Sequence, residues 1–215
     1  VRFVDGLRGT GADLDKLVED GKKHYAGIEL PQRTLGVIGL GRIGSLVADA
    51  AIKLGMNVLG YDPEITVDAA WSLPSQVRKA HSIEEVLKNS EFVTLHVPLV
   101  PATRQLINST RLALMRHGAV LLNFARDEVV DADAVVEALA AKRLKYYVCD
   151  FPSRAFDGNP GVVALPHLGA STREAEENCA VMVAGQLRDY LEHGNIRNSV
   201  NFPDVAMERE SPFRV

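Results

Sequence analysis

From Thr34 to about residue 192, short runs rich in Val, Ile and Leu alternate with longer segments whose apolar residues recur at helical spacing. That alternation constrains the fold more than any other feature, because strand, helix and strand in succession close most simply as a parallel pair. Parallel sheets are covered on both faces, so their strands read as continuous apolar runs. Runs at 34–39, 57–61, 92–97, 119–123, 146–150 and 162–165 have this character, and helical spacing occupies 43–53, 83–88, 133–141 and 172–192. A further helix is expected over 13–24, ahead of the breaker-rich stretch 27–32. Ser82 with Glu85 and Ser171 with Glu174 have the spacing of capping boxes, and Gly55 and Gly194 mark helix ends. The expectation is an α/β fold, a Rossmann-type doubly wound parallel sheet with helices on both faces. It divides into a helical lead-in at 1–33, a nucleotide-binding domain at 34–194 and a tail at 195–215.

With 215 residues, 47% of them hydrophobic, the chain has ample apolar content for a core. Its formal net charge of −4 provides no summed basic field for nucleic acid or an anionic membrane, so any anion must be held locally. The two cysteines, Cys149 and Cys179, lie far apart and form no CxxC pair, which argues against a disulfide framework or a zinc site and fits a reducing compartment. No apolar run approaches the roughly 18 residues of a membrane span, and residues 1–6 lack a signal pattern. A cytoplasmic protein without nucleic-acid or membrane partners is expected. A chain opening on Val1 is expected to be a piece of a longer one.

The strongest local signal is Gly39-Leu40-Gly41-Arg42-Ile43-Gly44, a GxGxxG that follows an apolar run and opens a helix. The first glycine permits a tight turn, the second lets backbone approach a pyrophosphate, and the third lets helix pack on strand. The helix start adds N–H groups and a partial positive charge. Downstream, Asp62 ends the second apolar run at the spacing where a carboxylate accepts from an adenosine ribose 2′-hydroxyl and repels a 2′-phosphate, so NAD is favoured over NADP. The bland alternative is a tight turn with Asp62 as a cap.

Two residues sit where strands of a parallel sheet end, the edge at which such sheets bind ligands. Arg126 follows the run 119–123, and its planar fork could hold a carboxylate or merely pair with Asp127 or Glu128. His167, in Pro166-His167-Leu168-Gly169, could exchange a proton with a substrate hydroxyl near neutral pH or be a satisfied loop histidine. His24, His81, His96, His117 and His193 form no metal-spaced cluster and read as structural. Cys149 reads as core and Cys179 as helix packing.

In their order along the chain, these motifs resemble the NAD-dependent D-2-hydroxyacid dehydrogenases, most nearly the nucleotide-binding domain of the D-3-phosphoglycerate dehydrogenase branch. The matching landmarks are the glycine loop, Tyr61-Asp62-Pro63, His96-Val97-Pro98-Leu99 with Thr103, Asn123-Phe124-Ala125-Arg126, Val129-Val130-Asp131, Asp150-Phe151-Pro152 and Pro166-His167-Leu168-Gly169-Ala170-Ser171-Thr172. The resemblance implies NAD as cofactor, Arg126 and His167 as catalytic residues, and no metal. It implies a cofactor site from Gly39, Gly41, Arg42, Ile43, Gly44, Asp62, Val97, Pro98, Thr103, Phe124, Ala125, Asp150 and Gly169. It also implies 3-phosphoglycerate as substrate, a place in serine biosynthesis and a homodimer through this domain.

The sequence departs from the family pattern twice. The glutamate expected five residues beyond Asp150 is Ala155, which removes a carboxylate that would raise the imidazole pKa. Asp127 stands where glycine is usual and adds negative charge beside the carboxylate site. Family members also carry a substrate domain, and the stretch before Thr34 is too short to supply it. The isolated domain is therefore expected to hold NAD without turning over substrate. The alternatives are the cofactor domain of another D-2-hydroxyacid dehydrogenase, or a catalytically weak NAD-binding or sensing module.

Overall fold

The computed structural model describes residues 2–7, 13–199 and 201–206. It resolves into two compact units, Val1–Leu165 and Pro166–Val215.

The first unit opens with α1 (Arg2–Leu7) and α2 (Leu14–Gly21), followed by a single 3-10 turn, Lys22–Tyr25. Strand β1 (Thr34–Ile38) leads into α3 (Arg42–Lys53), then β2 (Asn57–Tyr61), α4 (Val67–Trp71), β3 (Arg78–Lys79), α5 (Ile83–Asn89) and β4 (Phe92–Leu95). The second half runs α6 (Ser109–Leu114), β5 (Ala119–Asn123), α7 (Ala132–Ala140), β6 (Leu144–Cys149) and β7 (Val162–Ala164). All pairings are parallel, and the sheet order is β3-β2-β1-β4-β5-β6-β7. The winding reverses at β1, so a crevice forms beyond the carboxyl ends of β1 and β4.

Alternation along β1 divides the core. Leu35 and Val37 pack with Ala48 and Ala51 of α3, while Ile38 joins Val86 and Leu87 of α5 in the larger cluster that continues through Val93, Leu121 and Val135. Helix α5 lies close on the sheet at Gly36, where a Cβ would come within 2.4 Å of Val86 Cγ1. The Ser82 half of its capping box forms as the sequence predicts, Glu85 N–H donating to Ser82 Oγ at 3.1 Å, while Glu85 Oε2 accepts from His81 N–H at 2.8 Å, one residue ahead of the cap.

The short elements β3, α4 and α6 have no counterpart in the sequence reading, because two to six residues are too few for either period to register. Cys149 is fully buried, as expected of a core residue.

The second unit holds α8 (Arg173–His193), closed by Gly194 in the left-handed region at φ 65°. Its cap is Thr172, which accepts from Ala175 N–H at 3.1 Å, and not Ser171. Ser171 is still held in the preceding turn, its N–H donating to Leu168 C=O. Cys179 is exposed on this helix, where the sequence suggested packing. Beyond α8, Ile196 and Val205 pair as an antiparallel bridge. Among the described residues no helix is long and apolar enough to cross a membrane, and no group of side chains is arranged to hold a metal ion.

Candidate functional site

The glycine loop is dictated by backbone sterics at two of its positions. Gly39 has φ 92°, and a Cβ there would lie 2.5 Å from His96 C=O. A Cβ on Gly44 would sit 1.9 Å from Gly39 C=O, so the first turn of α3 can close on the loop only with glycine. At Gly41 a Cβ would meet nothing within 4 Å, because that position faces open space.

Helix α3 also differs from its neighbours at its start. Helices α2, α5, α6, α7 and α8 are capped by the side chains of Asp13, Ser82, Asn108, Asp131 and Thr172. The α3 cap is Gly41, which has no side chain to offer. The start of α3 thus carries no side-chain cap, the arrangement found where a helix N-terminus receives an anion. The Arg42 and Ile43 side chains flank this point, both exposed.

Asp62, at the end of β2, is held in place by two backbone donors: Leu40 N–H to Oδ2 at 2.8 Å and Glu64 N–H to Oδ1 at 2.9 Å. Each oxygen keeps a further lone pair for an incoming hydroxyl. Beside it lies a cavity of about 460 Å³ whose wall includes Gly39, Gly41, Asp62, Val97, Pro98 and Thr103. The Thr103 hydroxyl fixes the far wall by donating to Pro98 C=O at 2.5 Å and accepting from Val100 N–H at 2.9 Å.

His96 also lines this cavity, although its sequence context suggested only a structural role. Nε2 meets Thr94 Oγ1 at 2.9 Å, Nδ1 is buried with no partner among the described residues, and burial pushes the imidazole below its ordinary pKa. A histidine directly after an apolar run, at the binding edge of the sheet, was the available signal.

Farther along the same edge, Phe124, Ala125 and Arg126 follow β5, and Asp150 follows β6. Arg126 is exposed, its guanidinium 5.3 Å from the centre of the Phe151 ring, with Nη1 donating to Ala125 C=O at 2.6 Å. The suggested pairing with Glu128 does not form, since Glu128 pairs with Arg104 at 3.0 Å. Asp150 Oδ1 is buried without a hydrogen-bond partner among the described residues. His167 and Gly169 lie in the exposed segment that begins the second unit. Asn123 and Tyr147 are both buried, and in the sequence they stand out only as part of a motif and of a strand.

An uncapped helix start behind a glycine turn, an acid at the end of the next strand and an apolar cavity between them define a dinucleotide-binding domain. Residues 7–169 match the family described as D-isomer specific 2-hydroxyacid dehydrogenase, NAD binding domain, and the chain belongs to that family. It is 40% identical over 194 residues to a D-3-phosphoglycerate dehydrogenase of Methanocaldococcus jannaschii, covering 87% of this chain and 37% of that protein. A Haemophilus influenzae protein of the same name is 37% identical over 202 residues, covering 87% and 47%. The chain thus spans less than half the length of these curated relatives.

Among solved structures, D-2-hydroxyisocaproate dehydrogenase superposes with a TM-score of 0.73 at 27% identity, covering 89% of this chain and 61% of that one. D-lactate dehydrogenase from Aquifex aeolicus, complexed with NAD and lactic acid, gives 0.67 at 28%, covering 82% and 61%. The cofactor of this domain is NAD, and the residues present fit it. The cradle is open at Gly41, the Asp62 carboxylate retains acceptor capacity, and Asp150 Oδ1 is a buried acceptor in want of a donor.

Proposed function

We propose that the chain is the cofactor-holding part of an enzyme that oxidises 3-phosphoglycerate with NAD and feeds serine biosynthesis. The observation that carries this reading is the 40% and 37% identity to D-3-phosphoglycerate dehydrogenases over most of this chain.

Gly39, Gly41 and Gly44, with Arg42 and Ile43 at the helix start, hold the pyrophosphate. Asp62 accepts from the adenosine ribose, Val97, Pro98 and Thr103 flank adenine, and Phe124 and Ala125 border the nicotinamide end. Asp150 Oδ1 accepts from the carboxamide. When bound, NAD supplies the hydride acceptor. Arg126, whose guanidinium lies 5.3 Å from the centre of the Phe151 ring, grips the substrate carboxylate in two charge-assisted bonds and orients C2. As hydride leaves C2, His167 takes the hydroxyl proton, and in reduction it returns it. Gly169 belongs to the cofactor-binding set through the Pro166-His167-Leu168-Gly169 motif. The protein works in the cytoplasm as a homodimer joined through this domain.

Purified full-length protein should oxidise 3-phosphoglycerate with NAD in preference to D-lactate, and the reverse preference would assign it to the unphosphorylated acids. Undiminished turnover after His167→Ala would remove that residue from the reaction. Sedimentation as a monomer would overturn the dimer.

A second reading, a catalytically weak NAD-binding module, draws on two positions. Ala155 is exposed in a 3-10 turn, Arg154–Phe156, where the family places its glutamate. Asp127 lines a cavity with Asp131, Asp133 and the Arg104–Glu128 pair, and adds a negative charge at the residue after Arg126. Under this reading Ala155→Glu raises turnover and shifts its pH profile, and an unchanged profile counts against it.

A further inference from the structure

The sheet ladder between β5 and β6 ends at Asn123 opposite Cys149. Residues 124–126 then leave the sheet, with no neighbouring strand to hold them at the point where Arg126 must be aimed. A single side chain takes over that task. Asn123 is fully buried, and its Oδ1 accepts from Ala125 N–H at 3.1 Å while its Nδ2 donates to Arg126 C=O at 2.8 Å and to Tyr147 Oη at 3.2 Å. Both amide hydrogens are thereby used, and the backbone on each side of the Ala125–Arg126 peptide is tied to the end of β5. The Arg126 carbonyl accepts a second bond, from Val129 N–H at 3.3 Å.

The brace is itself anchored. Tyr147 is 1% exposed, its ring centre 5.0 Å from that of Phe156. Burial raises the phenol pKa far above its ordinary value, so Oη stays protonated and neutral, an acceptor for the amide that never becomes a charge beneath the arginine. Neither Asn123 nor Tyr147 lines the adenosine cavity.

We propose that Asn123, backed by Tyr147, is a positioning residue that aims Arg126 at the substrate carboxylate. This rests on the reading that Arg126 grips that group. Small displacements of an orienting group cost about a hundredfold in rate. Asn123→Asp keeps the size of the side chain and the bond from Ala125 but loses both donations. It is expected to lower kcat/KM for the 2-hydroxy acid about 100-fold. Tyr147→Phe keeps the packing, removes one acceptor and is expected to lower it a fewfold.

The test is a double-mutant cycle on the full-length protein, with each substitution made in wild-type and Arg126→Ala backgrounds and NAD affinity followed by calorimetry. The proposal expects both losses to vanish in the Arg126→Ala background while NAD affinity stays within about twofold throughout. Losses that persist without Arg126, or NAD affinity falling in step with kcat/KM, would overturn it as a merely structural contribution. Should Asn123→Asp not fold, the Tyr147→Phe arm decides alone. If Arg126→Ala by itself leaves turnover unchanged, the reading of Arg126 fails first, and that outcome is distinct from failure of the brace.

Discussion

At the ends of β1 and β2 the site is made from backbone: a glycine at φ 92°, another whose Cβ would strike a carbonyl at 1.9 Å, and an aspartate held by two N–H groups. At the ends of β5 and β6 it is made from side chains reaching across strands, with Asn123 and Tyr147 holding the segment that carries Arg126. The first construction depends on neighbours within a few residues and on steric exclusion. The second depends on which residues the sheet brings together. Damage to the first should therefore be abrupt and affect cofactor binding, whereas damage to the second should be graded and affect the substrate.

The largest effect is expected at Gly44. Gly44→Ala forces a methyl into backbone that cannot yield, and should cost about 3 kcal/mol of stability along with NAD binding. A melting temperature unchanged by calorimetry would contradict the backbone account. Asp62→Ala comes next, with NAD affinity expected to fall about tenfold and the discrimination against NADP to shrink. Titrating both dinucleotides checks this.

Away from the site, Ser82→Ala removes the α5 cap and should cost about 1 kcal/mol without altering NAD affinity, as read by urea denaturation and titration. The smallest effect is a pH dependence from His96, whose imidazole burial has lowered in pKa. The unfolded chain takes up that proton near pH 6.5, before the folded one does. Stability should thus fall as pH drops below about 6.5 and gain nothing from this group above it. His96→Phe should flatten that part of the stability profile.

The difference in construction also explains what could be read in advance. Strands 57–61 and 119–123 match the observed β2 and β5 residue for residue, because an apolar run bounded by breakers is a local signal. The glycine loop and Asp62 were legible for the same reason, since each role is set within one strand-turn-helix unit. Asn123 and Tyr147 were not. They stand 24 residues apart and meet only because β5 pairs with β6, a register that no local pattern encodes. His96 lies between these cases: its place directly after an apolar run is a local signal, whereas its neighbours in the cavity follow from the pairing of β1 with β4. The misplaced cap of α8 was a smaller error of one residue, where a turn ending at Ser171 competes with the helix for the same backbone.

Titration of NAD and NADP into this polypeptide by isothermal calorimetry tests the central claim most directly. One NAD per chain, bound at least about tenfold more tightly than NADP, is the predicted result, since a 2′-phosphate would meet the Asp62 carboxylate. No heat from either dinucleotide, or equal affinity for the two, would contradict it.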